Sequence, residues 1–125
     1  MTTQTMGARD EEFILAELDG ALSRSNATLK LGENLAAGTV LEDDGAGKLI
    51  ACSGDLNTAG DELVTPVAGI LCRTTDATDA DTDVAILDAT SAVKDDLVVY
   101  PTESTAGGEK VAVVASLLAL GIKVR

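Results

Sequence analysis

Between Ala27 and Pro101 the apolar residues come in short bursts, none long enough for a stable helix of several turns. "ATLKL", "GTVLE", "KLIACS", "VAGILCR", "DVAIL" and "LVVYP" are separated by glycine, proline, aspartate and threonine, the residues that turn a chain. In the first burst Ala27, Leu29 and Leu31 alternate with other residues, the period of a strand with one buried face. "DDGAG" has the composition of a hairpin turn leading from "GTVLE" into "KLIACS", and Pro66 stands just before the strand-like "VAGILCR". Short strands at a regular beat are the pattern of small barrels and sandwiches.

The exception lies at the C-terminus. In "GGEKVAVVASLLALGIKVR", Val111, Val114, Ala115 and Leu118 fall at helical spacing, and Val113, Leu117 and Leu120 widen that apolar face. Glu109 suits the positive end of a helix and Gly121 a C-terminal stop, so a helix is predicted over about 109–120, followed by a short strand in "IKVR". The fold class is mainly β: a small, compact barrel- or tulip-like body with one C-terminal α-helix and an extended N-terminal arm. The arm is assigned to residues 1–25 and the body to 26–125. The arm's apolar content is Phe13, Ile14, Leu15 and Leu18, clustered in "DEEFILAELDG".

Composition narrows the function. The chain of 125 residues is one domain in size, with one Phe, one Tyr and no Trp. A core built from Ala, Val, Leu and Ile forgoes the large buried area of aromatic rings. Assembly with further copies would add to its stability. A net charge of −12 with nine basic residues excludes a phosphate-binding surface, and the lack of aromatics excludes a base-stacking one, so no nucleic-acid partner is expected. With no histidine, the common nucleophile–base arrangements and the commonest zinc ligand are missing. No catalytic residue, metal or cofactor is assigned. Cys52 and Cys72 sit in apolar runs and read as small buried hydrophobes, their pairing left open. The N-terminus lacks the basic-then-apolar pattern of a signal peptide, and the longest apolar run, "VAVVASLLALGI", is too short to span a bilayer. No membrane association is expected.

The most site-like stretch is "CRTTDATDADTDVAILDAT". With Asp79, Asp81 and Asp83 as the first three ligands of a calcium loop, Gly should stand where Val84 does and Glu where Thr90 does. The stretch reads as a turn whose Asp and Thr side chains cap backbone groups. "GAGK" at Gly45–Lys48 fails as a phosphate loop, since Glu42 and Leu49 occupy required Gly and Ser/Thr positions. "NAT" at Asn26–Thr28 matches a glycosylation acceptor but has no secretory context. Lys48 after a glycine-rich turn keeps open a lipoyl- or biotin-carrier-like alternative, although it lacks the flanking hydrophobics of such sites.

The order of the remaining segments is more informative. "FILAELDGALSRSNATLKLGENLAAGTVL", "VAGILCRTTDAT" and "VASLLALGIKVR" together resemble the head decoration proteins of lambda-like tailed phages, from about Phe13 to Arg125. The resemblance rests on the "ALSR" turn, "AGTVL", "AGIL" followed by "DAT", and the "GI-x-VR" ending. It implies a structural virion protein on the outer surface of the capsid, made in the host cytoplasm. It further implies a homotrimer bound to the major capsid protein at local three-fold positions, which cements the mature shell. Its N-terminal arm, here with Phe13, Ile14, Leu15 and Leu18, would order on the capsid.

Overall fold

The structure, a computed structural model, describes residues 13–17, 23–57, 62–101 and 107–125. The bursts of apolar sequence form ten strands: β1 (Ile14–Glu17), β2 (Arg24–Leu29), β3 (Glu33–Leu35), β4 (Val40–Asp43), β5 (Leu49–Ala51), β6 (Val67–Leu71), β7 (Thr75–Ala77), β8 (Thr82–Leu87), β9 (Ser91–Val93) and β10 (Ile122–Val124). One α-helix, α1 (Glu109–Ala119), follows a 3-10 turn at Asp95–Leu97. The chain is therefore mainly β with a C-terminal helix.

Five strands close into a barrel in the order β2-β5-β4-β6-β8, with β8 returning to pair with β2 along its whole length. The seam is the parallel β2–β5 contact, carried by Leu29 opposite Leu49. β4 and β5 are the hairpin foreseen around "DDGAG". Asp43 and Asp44 fold back to accept hydrogen bonds from the Gly45 and Ala46 amides, each at 2.7 Å. A second sheet, β1-β9-β10, and α1 lie outside the barrel, and β3 pairs with β7 as a short ribbon.

The barrel wall separates two cores. Leu29, Leu41, Leu49, Leu71, Val84 and Ile86 fill its inside. Neighbouring residues on the same strands (Val40, Ile70, Leu87) point the other way and meet Val93, Val113, Leu117 and Ile122 from the outer layer. Strands covered on both faces need apolar residues at successive positions, which explains unbroken runs such as "AGIL" and "VAIL". Gly69 permits this two-sided packing, because a Cβ there would sit 2.9 Å from the Leu87 carbonyl oxygen of β8.

The helix lies where expected but is turned differently. Its buried side chains are Glu109, Ala112, Val113 and Leu117, whereas Val111, Ala115 and Leu118 are exposed and Val114 is half-buried. The first row of the stripe, Val111, Ala115 and Leu118, therefore faces outward, while Val113 and Leu117, which widened it, face the core. The helix is seated by Ser116, whose Oγ accepts a hydrogen bond from the Val67 amide of β6 at 2.9 Å. That contact puts the 112/113/116/117 side against the barrel.

Candidate functional site

The four apolar residues expected to meet a partner are divided by the fold. Phe13 is 2 % exposed, packed in the outer core with Val40, Val93 and Val98. Its carbonyl accepts a 2.7 Å hydrogen bond from the Lys94 amide. In the single chain the Phe13 ring is thus part of the body's own core. A core made of small aliphatics gains most by burying its one large hydrocarbon ring. Gly38 helps to make room for it. Its φ of 88° and the Leu97 carbonyl oxygen, 2.6 Å from where a Cβ would stand, leave space only for hydrogen, with the Phe13 ring alongside. Ile14 is half-buried against the same core. Leu18 lies outside the described residues.

Leu15 behaves differently. Ile14 is opposite Val93 and Ala16 opposite Ala92, so Leu15 is the extra residue of a β-bulge in β1, and it is 47 % exposed. Bulges at sheet edges re-aim a side chain, and this one directs a leucine into solvent. Among the described strands β1 pairs only with β9, so its other edge has no partner strand among the described residues. The division at residue 25 falls inside β2, and β1 is an integral strand of the body's outer sheet. Ser23 ties down the chain just before β2, its buried hydroxyl donating to the Thr90 carbonyl at 2.8 Å. Neither the bulge nor this buried serine has a signal in the local sequence.

The aspartate stretch disperses its carboxylates among unrelated partners. Asp76 accepts from the backbone amide and hydroxyl of Thr78, which holds its carboxyl below the usual range. Asp81 accepts from Lys48 Nζ at 2.6 Å and from the Leu31 amide at 2.8 Å, and these bonds lower its pKa. Asp83 accepts a long bond from the Thr28 hydroxyl on β2, 3.4 Å. These contacts strap the β7–β8 turn to the barrel end, and Lys48, the carrier-type candidate, is part of that strap. Among the described residues, no group of three or more Asp, Glu or Cys is placed to hold a metal ion.

Other polar contacts serve the scaffold. Tyr100 donates its hydroxyl to Asp95 at 2.7 Å, and Lys110 Nζ donates to the other oxygen of Asp95 at 3.1 Å while lying 5.0 Å from the Tyr100 ring centre. The Tyr100 hydroxyl, followed by Lys110, lowers the Asp95 pKa, while burial first and Asp95 second raise that of Tyr100. This clasp joins the 3-10 turn to the start of α1. Cys52 and Cys72 are both buried, and burial pushes the Cys52 thiol up, away from the reactive thiolate. No helix among the described residues is long and apolar enough to cross a membrane.

The described residues thus form a β body with an edge strand, a projecting leucine and an exposed helix face. The family model of the bacteriophage lambda head decoration protein D matches residues 3–122, nearly the entire chain. The chain belongs to this family. A comparison with curated proteins gave no match. As a head decoration protein, it is a structural component of the phage virion, located on the capsid that it binds.

Proposed function

We propose that this decoration protein binds the outside of the mature head as a homotrimer at local three-fold positions and holds the shell against the outward load of packaged DNA. The major capsid protein is the partner, and the attachment involves no catalysis and no nucleic-acid contact. Synthesis in the host cytoplasm precedes assembly onto the head. A trimer that grips several capsid subunits resists their separation by multivalency, since each engaged copy keeps the others near their sites. The net charge of −12 supports a place outside a shell that encloses DNA.

The observation that carries this reading is the open edge of β1 with Leu15 projecting from its bulge. An extended capsid segment adding to that edge would gain main-chain hydrogen bonds, and Leu15 would enter an apolar recess beside it. In this form the capsid-binding arm is anchored by Phe13 and Ile14 on the body, with Leu15 turned to the partner and Leu18 a further proposed capsid contact. The test is titration of Leu15→Ser onto undecorated expanded heads, read by co-sedimentation. Half-saturation should require at least roughly tenfold more protein, with solution melting unchanged. Saturation at the wild-type concentration would refute the role of the β1 edge.

A further inference from the structure

We propose that the uncharged outer face of α1 and the cleft beside it form the contact between copies of this chain. The inference rests on the homotrimer reading and names its surface. On α1, Val111 is 74 % and Leu118 59 % exposed, and with the exposed Ala115 between them they form an apolar ridge along the helix. Beside the ridge runs a cleft of about 280 Å³, walled by Ala112, Ala115, Ser116 and Ala119 of the helix and by Leu63 and Pro66 of the facing loop. Its one charged lining residue is Glu62. The Ser116–Val67 hydrogen bond fixes the helix on β6 and so fixes one wall of the cleft.

Charge identifies the occupant as a second copy. Every copy carries −12, so copies repel wherever their acidic surfaces face each other. Val111–Ile122 and Leu63–Cys72 are the two longest stretches of the chain without a charged residue, and the cleft lies where they meet. Across this ridge and cleft Glu62 is the one charged lining residue, so two copies can approach here with little opposing charge. A partner selected by charge would be drawn to the acidic faces instead. Shape adds a second argument. Ridge and cleft adjoin along one helix, with Ala115 on both, so Val111 and Leu118 of one copy can fill the cleft of the next. Such a head-to-tail contact between unlike patches generates rings when its rotation closes, and a trimer is a closed ring of this kind.

The test is the double variant Val111→Asp/Leu118→Asp. Both side chains are exposed, so the protomer should keep its wild-type melting curve. Wild type and variant are cross-linked in free solution at raised concentration and again on saturated expanded heads, then resolved by denaturing electrophoresis. The wild type should give a three-copy species. The variant should give single copies in the same setting and need at least roughly tenfold more protein to fill heads. A variant with wild-type melting that still yields the three-copy species at wild-type concentration overturns the surface assignment alone. A wild type that yields no three-copy species in either setting overturns the homotrimer reading and this inference with it.

Discussion

Phe13→Ala tests whether the N-terminal strand is held by the body. The ring is 2 % exposed and lies among Val40, Val93, Val98 and the Gly38–Leu97 backbone contact, which cannot collapse inward to refill the space. Truncating a buried Phe costs about 3–5 kcal/mol, the upper part of that range applying where neighbours are rigid. Set against a total stability of roughly 5–15 kcal/mol, this is a large loss. For a chain of this length about 4 kcal/mol corresponds to a melting temperature roughly 15 °C lower. Thermal melts followed by circular dichroism give the value directly. Leu15→Ala is the control two residues away, where exposure limits the change to about 0.5 kcal/mol. A Phe13→Ala protein that melts within about 2 °C of wild type would refute the placement of the ring in the core. The same reasoning makes deletion of residues 1–25 destructive, since it removes Phe13, all of β1 and the start of β2.

Three further outcomes follow from the geometry. Leu117→Asp would bury an unpaired carboxylate under α1 and should unfold the protomer, with a loss of more than ~4 kcal/mol; a folded, cooperative melt would contradict the helix's orientation. Asp44, Asp76, Asp81 and Asp95 all have folded-state pKa values below the unfolded one, so their contribution is complete above pH ~4 and is lost as pH falls through the lower folded values. Melting temperature against pH should therefore drop on the acid side, less steeply in Asp81→Asn, and an unchanged acid limb in that variant would count against the Lys48 and Leu31 strap. Cys52 lies beside Val40 on one side of β4, and Cys72 follows β6 on the other. Two strand spacings of ~4.8 Å exceed the ~7 Å Cα limit for a disulfide, so a reductant should leave the melting curve unmoved.

The sequence alone determined the local text of this fold. Alternation and turn residues specified β4, β5, β6 and β8 and the hairpin between the first two, because strand period and turn chemistry act over a few neighbouring residues. The same local logic set the length of α1, with Glu109 at its start and Gly121 past its end. It also disposed of the metal and phosphate motifs, whose failed positions are read directly from the chain. The tertiary structure decided which apolar residues are inside. "VAVVASLLALG" is apolar on most of its circumference, so its burial energy is nearly indifferent to rotation. The position of β6 and the hydrogen bond from Val67 to Ser116 selected the face that left Val111 and Leu118 outside. Phe13 and Leu15 are likewise equivalent in a sequence of adjacent hydrophobics. Only the pairing of β1 with β9, one residue out of step at the bulge, sends the ring into the core and the leucine into solvent, because register is a property of two strands and never of one.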